Sequence, residues 1–350
     1  MEGFLGQSIS KPSSFTPKLI FSLALVAALG LICTLSLSSS SPSVSESSLA
    51  EHEFKRFLTT YNKFYSLEEF PHRFNIFKEN SAKIRLFNSW NDDVVLSVNK
   101  FADLSHEEFK SMYTSQHPPV TVMDSPLINV AAPPNAWDWR DKGAVTDVGN
   151  QLNCTGGWAF AAVGAVEGSW FIGGNLLEDF SVQEILDCTS AGTSNGCKGG
   201  LVQDALAFVK ASNITTDLSY PFISYDMQCI NSSVKNYVGS IYSFNQVSPL
   251  NNAAILLNAI SLTPVAAAVE ADEYVWQFYN SGVVGKYCGT NTNHNVLLVG
   301  FNYTAGYYIA KNSWGQDWGE SGYIRLGTGG GSQGVCGVAT NTYYTNSTKP

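Results

Sequence analysis

The chain has 350 residues, of which 44% are hydrophobic and 14% are charged, and its formal net charge is −9 at pH 7. This is the composition of a globular protein with ample room for a hydrophobic core, arranged as one large domain or two. The acidic balance argues against nucleic acid as a partner, and it suits a secreted or vacuolar protein.

The first 45 residues have the features of a targeting segment. An uncharged apolar run from Leu19 to Leu37 follows Lys11 and Lys18 and precedes a serine-rich stretch. The run is long enough to span a bilayer, but a cleaved secretory signal has a similar form. Residues 1–45 are therefore predicted to be a signal peptide or a retained signal anchor, and a membrane is a partner only if the segment is retained.

Seven cysteines are present: Cys33 lies in the apolar run, and the other six lie after residue 133. No CxxC spacing occurs, so a zinc site is not expected, and neither a metal nor another cofactor is predicted. An even number of cysteines favours a disulfide framework, whose connectivity the spacing alone does not fix. The six are Cys154, Cys188, Cys197, Cys229, Cys288 and Cys336.

Sequons for N-linked glycosylation also concentrate in the second half of the chain. Five Asn-x-Ser/Thr motifs occur, and all of them follow residue 133. Their placement favours a glycoprotein of the secretory pathway that is extracellular or lysosomal/vacuolar. The motifs begin at Asn153, Asn213, Asn231, Asn302 and Asn346.

Residues 51–88 predict two amphipathic helices. Phe54, Phe57, Leu58 and Tyr61 recur at helical spacing, and residues 66–69 fit a capping box. A second stripe then repeats at intervals of 4, 4, 3, 4 and 4, and its first two members are spaced to form an ion pair. Pro71 is expected to kink or delay this helix. The stripe comprises Glu69, Arg73, Phe77, Asn80, Ile84 and Asn88.

The second half predicts helices first and strands afterwards. Helical patterns extend from Trp158 to about Gly173, from Ser181 to Cys188 with Ser181 as N-cap, and over residues 201–211. After about Val238 the signals are those of strands and glycine turns, as in residues 264–269 and 296–301. A helical lobe followed by a sheet lobe is an α+β layout.

The N-terminal helices resemble a known inhibitory segment. The six-residue stripe matches the ERFNIN motif of cathepsin L-like propeptides. Ser97-x-Asn99-x-Phe101-x-Asp103 resembles the Gly-x-Asn-x-Phe-x-Asp motif of the same propeptides, with Ser in place of Gly. The resemblance implies that residues 46–125 are a prosegment that lies across a cleft as an internal partner, and residues 126–132 are the linker that follows it.

The stretch from Gln151 to Phe160 resembles the Gln-x-x-Cys-x-x-Cys-Trp-Ala-Phe motif of papain-family cysteine proteases. From Trp137 onward the whole chain is similar to a mature enzyme of that family. The resemblance implies that residues 133–350 form a papain-like domain. Its fold has a helical lobe and an antiparallel β-barrel-like lobe, with a cleft between them.

The resemblance assigns catalytic roles but leaves one position without its reactive group. The family's nucleophilic Cys lies at a helix N-terminus, where the helix dipole stabilises a thiolate, and this position is Gly157. His294 matches the catalytic imidazole, Asn312 the residue that orients it, Trp314 the indole that covers that bond, and Gln151 the oxyanion donor. Thr155 and Gly156 also depart from the family's usual Gly-Ser.

On the substrate side, Gly199 and Gly200 match the segment that pairs with an extended peptide through its backbone. The family's main specificity pocket falls on Leu201, Ala268, Asn295 and Asn341, and its two asparagines predict a pocket more polar than an aliphatic-selective one. The resemblance also implies disulfides Cys154–Cys197, Cys188–Cys229 and Cys288–Cys336.

Three functions follow from these patterns. The first is a monomeric papain-fold pseudoprotease whose cleft holds a peptide or protein ligand, in a binding, storage or defence role. The second is an enzyme, either a cysteine-type endopeptidase or a slow hydrolase in which His294 activates water. The third, a purely structural protein, needs no cleft, and the retained Gln151, His294, Asn312 and Trp314 argue against it.

Overall fold

The computed structural model describes residues 43–115, 123, 125, 128, 132–189, 192–230, 237–248 and 250–347. Residues 1–42 of the predicted signal segment, Cys33, the sequon at Asn231 and most of the predicted linker lie outside these residues. The chain divides into one unit that ends at Glu46 and a second unit, Ser47–Pro350, which contains the predicted prosegment from residue 47 onward and the predicted mature domain.

The described residues form eight α-helices and eleven strands, and their order, with most helices before most strands, is that of an α+β protein. The helices are α1 (Ser43–Thr60), α2 (Phe70–Asn88), α3 (His106–Tyr113), α4 (Gly157–Ile172), α5 (Val182–Cys188), α6 (Val202–Ser212), α7 (Ala253–Leu262) and α8 (Tyr274–Gln277). The strands are β1 (Val94–Leu96), β2 (Ala136–Asp138), β3 (Ile214–Thr215), β4 (Tyr237–Gly239), β5 (Ser243–Gln246), β6 (Val265–Val269), β7 (Tyr279–Val284), β8 (His294–Asn302), β9 (Tyr307–Lys311), β10 (Tyr323–Gly327) and β11 (Thr342–Asn346). A search of these helices for one long and apolar enough to cross a bilayer finds none.

A nine-stranded sheet organises the C-terminal half. Its order is β1-β7-β10-β9-β8-β6-β11-β5, and β2 pairs with β8 outside this path. All pairs are antiparallel except β10 with β7. Because β1 belongs to the predicted prosegment, that segment extends the sheet by one strand. The predicted fold class, a helical lobe and a sheet lobe preceded by helices, is confirmed.

Two hydrophobic cores meet at the central strand β8. Val296 and Leu298 belong to the core of the sheet lobe, whereas Leu297 and Val299 belong to the core of the helical lobe. A strand buried on both faces needs a continuous apolar sequence, which β8 has. Successive side chains of β8 therefore pack into the sheet lobe and the helical lobe in turn, and the strand joins the two cores.

Helix α4 lies against β8 at close range because glycines face its neighbours. A Cβ built on Gly164 would lie 2.7 Å from Cδ2 of Leu297, and a Cβ built on Gly168 would lie 2.5 Å from Cγ of Pro264. Almost the whole of α4 is buried, as a helix with no polar face must be. The N-terminus of α4 lies at the boundary between the lobes, and the first residue of the helix is Gly157.

The N-terminal helices pack through aromatic rings. Phe54 contacts Phe74 and Phe77, with ring centroids 5.4 and 5.1 Å apart. The capping box forms ahead of α2, since Glu69 accepts from the Ser66 amide and its own amide donates to the Ser66 hydroxyl. Pro71 lies in the first turn of α2, where its missing N–H breaks no helical hydrogen bond, so it sets the start of the helix.

One predicted contact of this stripe is wrong. Arg73 does not pair with Glu69, because Glu69 is engaged in the capping box on the preceding turn. Instead Arg73 Nη1 donates to the Glu108 carboxylate at 2.7 Å and to the Asp103 carbonyl at 3.1 Å. The arginine therefore joins α2 to the start of α3.

Asparagines of the same stripe bind backbone rather than side chains. Asn80 donates to the carbonyls of Ala102 and Leu104, at 3.0 and 2.9 Å. Asn88 both donates to the Leu96 carbonyl and accepts from the Leu96 amide. These bonds fix the chain that leaves α2 against the helix, which explains why the stripe mixes polar with apolar residues.

The disulfides are those that the resemblance implies. Cys154 bonds to Cys197, Cys188 to Cys229 and Cys288 to Cys336. The first holds the loop before α4, and the second closes the loop that follows α5.

Reducing these bonds is expected to destabilise the protein strongly. Disulfides that close loops of this length contribute about 2–4 kcal/mol each, so urea unfolding with a reductant should give a markedly lower free energy of unfolding. In a Cys33→Ser variant, which removes the one cysteine outside the described residues, a thiol reagent should label nothing before denaturation and reduction. Two or more labelled thiols in the native variant would contradict the three pairs.

Candidate active cleft

The loop before α4 is held from both sides. Gln151 and Cys154 are fully buried, and the disulfide from Cys154 fixes the loop to Cys197. Trp158, in the first turn of α4, donates from its indole to the Gly196 carbonyl at 3.1 Å. The start of α4 and the segment around residues 196–200 are thereby fixed relative to each other.

His294 lies against the N-terminus of α4. A Cβ built on Gly157 would lie 2.6 Å from Cε1 and 2.7 Å from Nδ1 of the imidazole. A side chain at position 157 would therefore reach the ring at once, and glycine permits this close approach. The structure thus brings together the two positions that the resemblance pairs as nucleophile and base, but position 157 has no side-chain atom to react.

A hydrogen-bonded chain connects the imidazole to the other lobe. His294 Nε2 is 2.8 Å from Asn312 Oδ1, which also accepts from the Ser313 amide. The Ser313 hydroxyl donates to Gln151 Oε1 at 2.7 Å, and this bond turns the Gln151 amide nitrogen away from Ser313. Ser313 was not predicted as a site residue, although it lies between Asn312 and Trp314, which were.

Trp314 covers this arrangement. Its ring centroid is 4.9 Å from that of His294, with an angle of 30° between the planes, and the side chain is fully buried. The indole keeps water from the bond between His294 and Asn312, and a hydrogen bond in a low-dielectric surrounding is electrostatically stronger.

The prosegment runs through the cleft. The Tyr113 carbonyl faces Gln151 Nε2 at 3.4 Å, and the Ser115 amide donates to the Asn293 carbonyl at 2.8 Å. A Cβ built on Gly199 would lie 2.6 Å from the Ser115 hydroxyl, so the chain passes directly over this glycine. The prosegment therefore covers Gln151, the predicted oxyanion donor, and Gly199, one of the predicted backbone-pairing residues.

Aromatic and amide contacts hold the prosegment over the site. Phe101, Phe109 and Tyr113 pack edge-on against Trp314, at centroid distances of 5.8, 5.3 and 5.9 Å. Asn99, from the predicted Asn-x-Phe-x-Asp motif, donates to the Gln277 carbonyl at 2.8 Å. Together these contacts cover the indole that shields His294.

Gln277, in the predicted mature domain, also binds the prosegment. Its side-chain amide donates to the carbonyls of Phe101 and Leu104. It was missed in the sequence, since it lies in the short helix α8, which has no motif of its own. Nothing local to residue 277 indicates a partner more than 170 positions away.

Two ion pairs join the prosegment to the predicted mature domain. Lys100 bonds to Asp317 at 2.7 Å and Lys110 bonds to Asp272 at 2.5 Å. Burial alone would raise the pKa of Asp272, but the hydrogen bonds from Lys110 and Asn293 and the charge of Lys110 outweigh it and hold that pKa below its usual range. The hydrogen bond to Asp272 raises the pKa of Lys110 in turn.

The predicted pocket residues occupy the lobe boundary. Ala268 lies opposite Asn295 in the β6–β8 pair, and its amide donates to the Asn341 carbonyl at 2.9 Å. The Asn341 side chain accepts from Gln246, whereas Asn295 Oδ1 is buried with no partner among the described residues. Leu201 is buried next to Gly200 at the start of α6. Their roles as a specificity pocket stay a prediction.

The predicted glycosylation sites differ in exposure. Asn153, Asn213 and Asn346 are exposed, and Asn302 is half-buried with its amide oxygen bonded to the Ala305 amide. Asn153 stands on the loop between Gln151 and Cys154, at the edge of the cleft.

Glu270, Asp272 and Glu273 form the group of acidic side chains that comes close enough for a metal ion among the described residues. Glu270 accepts from the amides of Gly289 and Asn291, and Asp272 is bonded to Lys110. Protein groups thus already use the carboxylates of Glu270 and Asp272.

This geometry defines a two-lobed α+β protein with an imidazole–amide pair at a helix N-terminus and a prosegment across the cleft. Residues 133–346 match the family described as papain family cysteine protease, and residues 54–109 match the cathepsin propeptide inhibitor domain (I29). The chain belongs to the papain family of cysteine proteases and carries the family's inhibitory propeptide.

Named relatives agree with this membership. The chain is 36% identical over 332 residues to the senescence-specific cysteine protease SAG39 of Oryza sativa subsp. japonica, covering 91% of this chain and 97% of the relative. It is 38% identical over 300 residues to fruit bromelain of Ananas comosus, covering 82% and 83%.

Solved structures of precursors are similar as well. A recombinant stem bromelain precursor superposes with a TM-score of 0.78 at 34% identity, covering 85% of this chain and 99% of that one. The proform of the ragweed pollen allergen Amb a 11, a cysteine protease, has a TM-score of 0.79 at 32% identity, covering 89% and 98%.

Acid is expected to loosen the prosegment. The pKa of Asp272 is lowered in the docked state, so its contribution is complete above the ordinary value of about 3.9 and is lost as pH falls through the lowered pKa. Asp272→Asn should therefore raise hydrogen exchange in residues 100–113 about two- to fivefold near neutral pH, because a pair with an exposed lysine contributes under about 1 kcal/mol.

The difference between the variant and the parent chain should shrink as pH falls through the lowered pKa of Asp272, once the intrinsic exchange rate is corrected for. Glu273→Gln is the matched control, because it removes a neighbouring charge that has no ion pair among the described residues. A difference that keeps its full size as the carboxyl group is protonated would rule out the Lys110–Asp272 pair as its cause.

Proposed function

We propose that this chain is a papain-family homologue that binds extended peptide in its cleft without hydrolysing it by the thiol route. Gly157 carries the proposal: it stands where a side chain would meet the His294 imidazole, and it offers no nucleophile. Thiol catalysis requires a thiolate within reach of a base. All six cysteines of the described residues are in disulfides.

Neighbouring groups offer no replacement for the thiol. The Thr155 hydroxyl donates to the Cys197 carbonyl at 2.5 Å, so it is held away from the imidazole. Water activated by His294 would act with only the help of binding and the oxyanion donors. Without a triad nucleophile, such residual catalysis amounts to about 10³–10⁴ over water, which leaves peptide bonds essentially intact.

The peptide-binding half of the proposal rests on what the prosegment already does. Helix α3 ends at Tyr113, whose carbonyl accepts from Gln151 Nε2, and the chain continues in extended conformation from Thr114 to Ser115, whose amide donates to the Asn293 carbonyl. Backbone bonds of this kind accept many sequences, while pockets for side chains select among them. We propose Gly199, Gly200, Leu201, Ala268, Asn295 and Asn341 as the lining of the peptide-binding cleft, and Gln151, His294 and Asn312 as the retained catalytic frame.

The second candidate is a cysteine-type endopeptidase, and the similarity to known proteins favours it over the first. The rice and pineapple relatives are named as a cysteine protease and as fruit bromelain, and they align over most of this chain. Gln151, His294, Asn312 and Trp314 keep a working arrangement around the site. The pseudoprotease proposal rests on one residue, whereas the endopeptidase proposal rests on the remainder of the domain.

We also propose the organisation and location of the protein. Residues 1–45 direct it to the secretory pathway, residues 46–125 are the inhibitory prosegment, residues 126–132 the linker and residues 133–350 the mature domain. Three disulfides suit an oxidising compartment, such as the secretory pathway, and its extracellular or vacuolar end points.

Restoring the nucleophile is the direct test. Gly157→Cys should place a thiol beside His294 once the imidazole moves away from the new Cβ, which would otherwise lie 2.6 Å from Cε1. The kcat/KM for an extended peptide should then rise at least about 10³-fold. Gly157→Ala is the matched control, since it adds the same Cβ without sulfur. If Gly157→Cys folds and stays inactive after removal of the prosegment, the cleft is no longer a peptidase frame.

Processing distinguishes the two candidates without any mutation. A chain that lacks the thiol mechanism should keep its full mass during hours at mild acid and should be cut in the linker only when a competent protease is added. The mass of purified material, with and without inhibitors of other proteases, gives the answer. Concentration-independent trimming that is abolished by His294→Gln would establish the endopeptidase and exclude the pseudoprotease.

A further inference from the structure

Strand β5 lies at one end of the large sheet. The sheet order ends with β6, β11 and β5, and no strand among the described residues pairs with the other side of β5. Val247, directly after β5, donates to the Thr342 carbonyl of β11 at 2.9 Å. Because neighbouring backbone N–H groups of a strand point to opposite sides, Gln246 directs its N–H away from β11. The outer side of β5 therefore presents backbone groups that another chain can bind.

A piece of the prosegment occupies this outer side at Gln246. The Gln246 side-chain oxygen accepts from the Met123 amide at 3.0 Å, and the Gln246 amide donates to the Ser125 hydroxyl at 3.0 Å. The Met123 side chain packs against the core of the helical lobe, as does Phe244 of β5. Met123 and Ser125 are two positions apart, which is the spacing at which an extended chain directs side chains to the same side.

The sequence of β5 carries none of the residues that usually protect a sheet edge. Residues 237–248 contain no charged residue and no proline, and Tyr242, directly before β5, is 71% exposed. Sheet edges are commonly protected from pairing with other chains by charged residues, by proline or by a covering segment. Here the covering segment belongs to the prosegment, so the protection lasts only as long as the prosegment stays docked.

The side chain of Gln246 is oriented for a bound chain. Its Nε2 donates to Asn341 Oδ1 at 3.2 Å, and the Asn341 carbonyl in turn accepts from the Ala268 amide. Since the amide nitrogen is used by Asn341, the oxygen faces the covering segment. Gln246 is 1% exposed, so it is held in this orientation by its neighbours. The outer side of β5 thus adjoins the predicted specificity pocket and is built to accept an N–H group.

We propose that the outer side of β5 is a docking site for an extended segment of another protein, and that it opens when the prosegment leaves. The segment lies alongside β5, and one of its backbone N–H groups donates to the Gln246 side-chain oxygen. A Ser or Thr hydroxyl two positions later accepts from the Gln246 amide, and an apolar side chain at the first position packs where Met123 lies. The partner is therefore recognised by the pattern apolar-x-Ser/Thr. The site involves neither Gly157 nor His294, so it goes beyond the proposed function.

The test uses the full chain with the covering segment displaced. Met123→Pro removes the N–H that Gln246 binds and so opens the outer side of β5. The probe is an acetylated and amidated synthetic peptide with the sequence of residues 121–127. Calorimetry should give one saturable site with a dissociation constant on the order of 1 mM or tighter. Ser125→Ala, which removes the other bond of the segment, opens the site if the proline variant does not fold.

The parent chain should bind the same peptide about two- to tenfold more weakly, because its own tethered segment competes at an effective concentration in the millimolar range. Equal binding by the parent chain and the Met123→Pro variant would show that the peptide binds elsewhere, and it would overturn the proposal.

Matched peptides and variants locate the site. A probe with Thr in place of its Ser should bind alike, whereas one with Ala there should bind about three- to tenfold more weakly, because it lacks the hydroxyl acceptor. Gln246→Asn, made together with Met123→Pro, shortens the accepting side chain and should weaken binding by a similar factor. Asn245→Gln in the same background is the control, because the backbone of Asn245 faces β11, and it should leave binding unchanged.

Three results would overturn the proposal. These are no saturation up to about 10 mM, equal binding of the Ser and Ala peptides, and equal weakening by Gln246→Asn and Asn245→Gln. None of them bears on the tests of the cleft, which use Gly157 and His294 variants, so the two proposals fail separately.

Discussion

The close packing of α4 against β8 is the constraint on which the site depends. Gly164 faces Leu297 with no room for a side chain, so the helix axis is held at a fixed short distance from the strand. That distance sets where the helix begins, and it brings the Gly157 backbone to the His294 ring at the start of β8. A larger residue at position 164 would have to displace the buried Leu297 side chain, and it would strain the packing that aligns two groups 137 positions apart in the chain.

The frame around the imidazole persists although its reactive partner is missing. The chain of bonds from His294 through Asn312 and Ser313 to Gln151 is buried and connects both lobes. Breaking one link would leave a polar atom without a partner in an apolar surrounding, which costs more than the bond itself contributes. Stability alone can therefore keep this geometry, and its presence does not require catalysis.

Sequence reasoning reached the parts of the molecule that local pattern determines. The capping box at Ser66, the N-cap at Ser181 and the apolar run of β8 follow from periodicity and from side-chain bonds within a few residues. The positions around Gly157 and His294 came from motifs. Contacts that depend on distant partners could not be predicted: Arg73 binds Glu108 instead of Glu69, and Gln277 binds the prosegment from a helix without a motif.

The prosegment's passage over Gly199 and Gln151 has a consequence for recognition by other molecules. A segment tethered to its own binding site acts at an effective concentration in the millimolar range, so a free peptide has to compete with an intramolecular ligand. In the precursor, even a ligand with micromolar intrinsic affinity would bind only weakly. Release of the tether therefore changes the apparent affinity of the cleft by orders of magnitude without altering a single contact in it. Proteolysis of the linker by another enzyme would then activate the cleft for peptide binding.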